Sequence, residues 1–294
     1  MADDTRMIEI SSGTLSAAIN PFGAELSSLR DGEGRELMTD ADPAFWTGRA
    51  PLLFPVVGAL NGDVLRANGR EYSLPKHGFA RRMGFAVTEA TPSRASCRLE
   101  ADAETLKAYP WRFSLDIGFE LSGATLSMEA RIGNRGEAAM PASFGFHPAF
   151  AWPLPYGRDR ADHRIRFDAD EPGALRALTP GGLIAPGERP SPLDGRTLHL
   201  ADSLFTDDAL IWDPVASRRV TYGASDGPQL VVDFPDMPML GIWTKPGARY
   251  VCIEPWRGIA DSEGFTGDFA GKHGVFSVEP GGEARATMRV TLAA

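Results

Sequence analysis

Phe113-Ser-Leu-Asp-Ile-Gly-Phe-Glu-Leu121 places an apolar side chain at every odd position, and after Ser122-Gly123-Ala124 the alternation resumes with Leu126, Met128, Ala130 and Ile132. Successive side chains of a strand point to opposite faces, so this period of two describes strands with one buried and one solvated face. Two such runs joined by a short connection containing glycine form a β-hairpin. Working outward, short runs of the same kind recur at 15–19, 85–89, 95–101, 164–168, 197–200, 209–212, 218–222, 229–234, 239–244, 249–254, 275–279 and 284–292. Asp31-Gly32, Asn61-Gly62, Asn68-Gly69, Asp226-Gly227 and Pro280-Gly-Gly282 supply turn chemistry between them. Helical character is confined to 101–108, which Pro110 stops. Many short strands with almost no helix predict an all-β chain, built as a large antiparallel sandwich or barrel-like double sheet. Residues 151–196 turn rich in Pro, Gly and Asp and lose clean alternation, so they read as long connections laid over one face. With no repeat and no composition break, a single domain over 1–294 is expected.

The 294 residues are long enough to bury about three quarters of the unfolded surface, so stability requires neither disulfides nor a structural metal. Apolar residues at 43% and charged residues at 23% exclude a disordered chain. The net charge of −9, with no local Lys/Arg cluster, argues against nucleic acid as a partner. Cys97 and Cys252 lack the spacing and density of a secreted scaffold and read as free thiols of a reducing compartment. The opening MADDTRMIEI is acidic and has no apolar signal region, and the apolar stretch from Pro51 to Leu60 is far below the ~20 residues of a spanning helix. A soluble, cytoplasmic protein without a membrane partner is therefore expected.

The five histidines form no H-x-H, no H-E-x-x-H and no His–Cys pair at ligand spacing, so no metal site is expected. Phosphate-cradling glycine loops and the G-x-S-x-G elbow are absent as well. What remains is polar residues in apolar or aromatic settings. In Pro75-Lys-His77-Gly78-Phe79-Ala80-Arg81 the glycine suggests a turn or close backbone approach that exposes the imidazole; the alternative is a plain loop histidine beside a surface Arg81. In Phe144-Gly-Phe-His147-Pro148-Ala-Phe150 the histidine is shielded from water, as a catalytic group or as a satisfied core residue. In Tyr250-Val-Cys-Ile-Glu254-Pro255-Trp256, alternation puts Glu254 on the face of Cys252 and Tyr250, and Pro255 should end the ladder there. A buried carboxylate without compensation costs several kcal/mol, so Glu254 needs a structural ion pair or a chemical task. Asp207 and Asp208 precede Ala-Leu-Ile-Trp212 in what reads as a turn, and Arg49 is a buried hydrogen-bonding fork or a surface charge. Trp152, Trp243 and Trp256 are candidates for a platform on which a sugar ring stacks, or for core packing.

Taken in order, these segments resemble the aldose 1-epimerase (galactose mutarotase-like) family, and most of all its LacX-like branch. The matching text is GTLSAAINPFGAELSSLRD, PLLFPVVGALNGD, LPKHGFAR, SFGFHPAF, DDALIW, LGIW, YVCIEPWRGIADS and EPGGEARATMRV, running from about residue 10 to the end in family order. The resemblance implies a β-supersandwich of two large antiparallel sheets with few short helices, a sugar cleft, and cofactor-free interconversion of the α and β anomers of an aldose. It further implies Glu254 as catalytic base, His147 as catalytic acid, His77 as a substrate-binding histidine, Asp208 (beside Asp207) as a sugar-binding acid, and Arg49 as a substrate-binding arginine. Trp256 stands with these as a substrate-binding residue. Arg81 matters because related sugar-phosphate mutarotases carry an HGFAR-like segment and use nearby arginines for phosphate, which leaves free and 6-phosphorylated hexoses both open.

These residue types suit the reaction. Opening a hemiacetal requires one group to take the O1 proton and another to protonate the ring oxygen, and each such group contributes ~10²–10⁴-fold. The expected partner is a small-molecule sugar, and the expected assembly a monomer or homodimer. Two other functions compete: a non-catalytic carbohydrate-binding or sensing protein on the same fold, and a glycoside hydrolase using Glu254 with Asp208.

Overall fold

A computed structural model describes residues 6–294. The founding hairpin pairs Phe113–Ser122 with Thr125–Asn134 around Gly123-Ala124. Its register sets Leu121 against Leu126, Phe119 against Met128, Ile117 against Ala130 and Leu115 against Ile132, all buried. The alternating set therefore forms one apolar face across both strands. A second hairpin, Val64–Ala67 with Arg70–Ser73, turns on Asn68 and Gly69, both at positive φ, the backbone that the favoured two-residue hairpin turns demand.

The hairpin lies inside a nine-stranded antiparallel sheet. In spatial order its strands are Thr197–His199, His163–Phe167, Arg219–Ala224, Gln229–Asp233, Glu283–Ala293, Thr125–Asn134, Phe113–Ser122, Arg94–Glu100 and Ala86–Ala90. An eight-stranded sheet runs Ile184–Arg189, Leu175–Leu178, Leu210–Trp212, Met239–Trp243, Tyr250–Arg257, Phe144–Phe146, Leu52–Leu53, with Ala149–Ala151 also paired to Tyr250–Arg257. Ile8–Ser11, Leu15–Asn20 and Glu25–Asp31 make a three-stranded sheet. The main core joins Leu115, Ile117, Met128, Val232 and Val290 of the nine-stranded sheet to Leu240, Ile242, Val251 and Ile253 of the eight-stranded one. The two sheets thus pack face to face, as the all-β reading requires.

Along Tyr250–Arg257 the alternation sorts function from packing. Val251 and Ile253 enter the main core, while Tyr250, Cys252 and Trp256 belong to two smaller clusters on the opposite face. That outer face of the eight-stranded sheet carries the cleft described below.

Three expectations are corrected. Residues 151–196 are not all connection: beside His163–Phe167, which the run at 164–168 marks, they contribute Leu175–Leu178 and Ile184–Arg189, the last of which is a sheet edge with most of its side chains partly or fully exposed and hence no apolar alternation. The helix at 101–108 shrinks to Thr105–Ala108, because the Asp102 carboxylate accepts from the N–H groups of Glu104 and Thr105 and fixes the start, while Tyr109 is extended. Pro255 does not end its strand, which continues to Arg257. Ile253 N–H donates to Pro148 O, so the backbone groups of Pro255, two residues on, face the same side, where the neighbouring chain breaks between Phe144–Phe146 and Ala149–Ala151. A missing donor is harmless at that break. Among the described residues no helix is long and apolar enough to cross a membrane.

Candidate active site

Several segments converge on a cleft of about 300 Å³ on the outer face of the eight-stranded sheet. Its floor is the strand Tyr250–Arg257, which presents Glu254 and Trp256. Gly241 pairs across from Glu254, and a Cβ there would stand 2.4 Å from Cη2 of Trp256, so the bare backbone leaves room for the indole.

His147 sits in the two-residue break between Phe144–Phe146 and Ala149–Ala151, where the chain is not held in a ladder and the ring can reach across to the neighbouring strand. Its Nε2 lies 3.2 Å from Glu254 Oε2. Both are buried, at 8% and 2% exposure, which makes this the only such His–carboxylate contact among the described residues. Burial pushes His147 down to about 3, with only its own backbone opposing, and Arg81 and Lys76 push the same way. Burial likewise pushes the Glu254 carboxyl well up, reinforced by Asp208, while Lys76 and the Trp256 indole pull it down. Low-dielectric surroundings thus oppose charge on either partner, and the pair favours sharing a single proton.

His77 is fixed by its backbone. It has φ +67°, its N–H donates to Gly58 O at 2.9 Å, and Gly58 N–H donates to His77 Nδ1 at 3.1 Å. With Nδ1 an acceptor, the proton of the neutral ring belongs on Nε2. Burial holds the ring neutral, and His147, Arg81 and Lys76 add to the effect. Gly78 follows at φ +68°, and a Cβ there would fall 2.2 Å from Phe54 O, so the glycine marks a close backbone approach. The His77 and His147 rings meet edge to face with centroids 6.1 Å apart.

Of the two adjacent acids, Asp208 lines the cleft, at φ +71°, whereas Asp207 is turned out beside Arg189. Arg81 and Trp256 also line it. Arg49 does not: its guanidinium donates to Thr39 O at 2.9 Å and its N–H to Glu25 Oε1 at 2.8 Å. Trp243 lines the cleft, while Trp152 packs in the main core with Arg160 3.5 Å over its ring and its N–H on Arg160 O. Trp46 lines the cleft together with Trp243 and Trp256, and its ring lies 4.9 Å from that of His147 at 33°.

Trp46 and Lys76 are cleft residues that sequence reasoning passed over. Both stand on loops without periodicity, Lys76 beside His77 and Trp46 three residues before Arg49. Lys76 and Arg81 have no carboxylate ion-pair partner among the described residues, and Arg81 Nε is buried without a hydrogen bond. Cys252 is closer to the pair than spacing suggested: His147, Cys252 and Glu254 each offer a donor atom, all within 4.8 Å of one another.

Such a site can move protons on a neutral polyhydroxylated ring, with aromatic faces for its C–H surfaces and polar groups for its hydroxyls. The chain belongs to the aldose 1-epimerase family, whose sequence model matches residues 6–277. It is 32% identical over 265 residues to protein LacX of Lactococcus lactis subsp. lactis, covering 87% of this chain and 89% of that one. Its structure is similar to that of a galactose mutarotase related enzyme from Lactobacillus acidophilus, with TM-score 0.89, 29% identity and 98% of both chains covered. A galactose mutarotase-like protein from Lactobacillus casei gives TM-score 0.91 and 27% identity over 98% of this chain and 100% of that one.

Proposed function

We propose that the protein interconverts the α and β anomers of an aldose, with Glu254 as base and His147 as acid. The observation that carries the reading is the buried 3.2 Å contact between them at the floor of an aromatic-lined cleft. In ring opening Glu254 takes the proton of O1 while His147 gives one to the ring oxygen. Rotation about C1–C2 and reclosure on the other face return both. The pair holds one proton throughout, and the reaction only moves its place between imidazole and carboxyl. No ion has to enter or leave the buried floor during turnover, which suits a pair whose surroundings oppose net charge. The starting form, with the proton on His147, is reached by transfer across the 3.2 Å contact.

Orientation comes from His77, whose Nε2–H faces hydroxyl acceptors, and from Asp208, an acceptor at the rim. Trp46, Trp243 and Trp256 offer ring faces to the sugar. A binding or sensing role needs neither member of the pair; a hydrolase would use Glu254 with Asp208, the second carboxylate of the cleft, but Glu254 is in contact with an imidazole and not with Asp208.

A second reading concerns the sugar. Lys76 and Arg81 line the cleft without carboxylate partners, which favours an anionic substrate such as a hexose 6-phosphate over a neutral hexose. Anomer-resolved NMR exchange with glucose, galactose and their 6-phosphates tests both points. Wild type should accelerate exchange, and Glu254→Gln should lose at least ~10²-fold with an unchanged circular dichroism spectrum. Retained exchange in Glu254→Gln refutes the base assignment, and equal rates on neutral and phosphorylated sugars refute the anionic preference.

A further inference from the structure

Cys252 has no task in the acid–base scheme, yet it stands beside both groups that do. One nitrogen of His147, Sγ of Cys252 and one oxygen of Glu254 lie within 4.8 Å of one another, and all three residues are buried. Atoms so spaced share a central point at most about 2.8 Å from each, against bonds of ~2.0–2.3 Å in zinc sites, so shifts of under an ångström close the set. We propose that His147, Cys252 and Glu254 form a binding site for a thiophilic divalent cation such as Zn²⁺ or Cd²⁺, and that a cation held there silences the acid–base pair.

The donor set selects the class of ion. One imidazole nitrogen, one thiolate and one carboxylate suit borderline and soft cations, whereas Mg²⁺ and Ca²⁺ require oxygen cages. Charge closes as well: a thiolate and a carboxylate balance a divalent cation, leaving a neutral unit in a place that tolerates no net charge. Binding releases the thiol proton and the proton shared by the pair, two per cation, to solvent. Three protein ligands leave a fourth position, which opens on the cleft because His147 and Glu254 line it. Occupancy silences the pair because the cation takes the lone pairs between which the proton must move. This inhibitory half rests on the acid–base reading above; the binding half does not.

The test titrates metal-free full-length protein with cadmium chloride, following the ultraviolet thiolate-to-cadmium absorption band and anomer exchange in parallel. Wild type should show the band, saturate at one equivalent and lose exchange. Cys252→Ser should lack the band, bind at least about 10-fold more weakly (the scale on which loss of even an outer-shell partner is felt), keep its metal-free exchange rate and escape inhibition. Cys97→Ser, altered in the main core, should behave as wild type. Magnesium chloride should do nothing. Should Cys252→Ser lose its circular dichroism spectrum, Cys252→Ala makes the same comparison. No band in wild type, or equal cadmium affinity in the Cys252 variant, overturns the site. A band in a protein without any anomer exchange upholds the site while overturning the epimerase reading and, with it, the inhibitory half.

Discussion

Lys272→Met should cost about 3–5 kcal/mol of stability, the range for removing one partner of a buried ion pair. The Lys272 and Asp261 side chains are each 3% exposed, with Nζ 3.4 Å from Oδ1. Nζ also donates to Ile259 O, and Asp261 Oδ2 accepts from Asn61 N–H at 2.8 Å. Methionine keeps the apolar stem of lysine, so buried area changes little and the loss is electrostatic: Asp261 is left an anion in the interior, and Ile259 O loses its donor. Asp261 Oδ1 has no other partner to fall back on. At ~2 °C per kcal/mol for a chain of this size, the melting temperature should drop roughly 6–10 °C. The effect should reach the cleft. Asp261 N–H donates to Ala59 O and Ile184 N–H to Asp261 O, while Ile259 and Ala260 line the cleft and Gly58 holds His77 Nδ1. Urea unfolding gives the free energy, and exchange kinetics below the melting range give KM and kcat. Lys272→Met/Asp261→Asn should recover much of the stability, because it removes the orphaned charge while leaving an acceptor for Asn61. A loss below about 1 kcal/mol in the single variant, or no recovery in the double, would refute the reasoning.

Asp208→Asn should raise KM for the sugar while Asp207→Asn leaves it unchanged, since only Asp208 lines the cleft; equal effects would undo that distinction. Gly78→Ala should lose about 2–5 kcal/mol, from its left-handed backbone and a Cβ 2.2 Å from Phe54 O, and should weaken sugar binding through His77; thermal melts check the first and exchange kinetics the second. The Asp31 carboxyl is pushed up by burial but held below its ordinary 3.8 by hydrogen bonds from the Arg35 side chain and N–H, Tyr156 and the Glu33 N–H. A folded pKa below the unfolded one stabilises above the unfolded value and is lost as pH falls through the folded one. Asp31→Asn should therefore be less stable than wild type at neutral pH, with the gap closing below pH 3.8 in urea unfolding series.

Sequence reasoning located strands with one face in the core and one in water, such as Phe113–Ser122 and Gln229–Asp233, where alternation is a direct record of burial, and also apolar runs buried on both faces, such as Leu210–Trp212 and Met239–Trp243. Ile184–Arg189 escaped because an edge strand with few buried positions imposes no apolar period, and Met140–Ala142 because three residues with a proline at the centre are too short to show a pattern. Glu254 and His147 were legible because an acid on an apolar strand and a histidine among phenylalanines break the local pattern. Trp46, Lys76 and the outward turn of Arg49 were not, because the direction of a loop side chain is set by contacts distant in sequence. The Arg49 guanidinium, for instance, is held by Thr39 O, and its backbone N–H by the Glu25 carboxylate on the strand Glu25–Asp31.

One strand therefore does two jobs through its pleat, and this ties stability to chemistry more tightly than a loop-borne site would. Val251 and Ile253 enter the inter-sheet core, while Cys252 and Glu254, one step out of phase, face the cleft side. A slip of one residue would carry the carboxylate into the core and the isoleucine into the cleft, so the same apolar pairing that fixes the sandwich fixes the register of Glu254. His147 is placed with less constraint along its own chain, in the break before Ala149–Ala151, but Ile253 N–H on Pro148 O ties that break to the same strand. The pair is thus held by two adjacent segments locked to each other, and its 3.2 Å contact follows from sheet pairing rather than from any flexible element. Burial is the other consequence. A carboxylate and an imidazole at mid-sheet sit where neither keeps a charge cheaply, and a pair in that position is suited to passing one proton back and forth with a neutral hydroxyl.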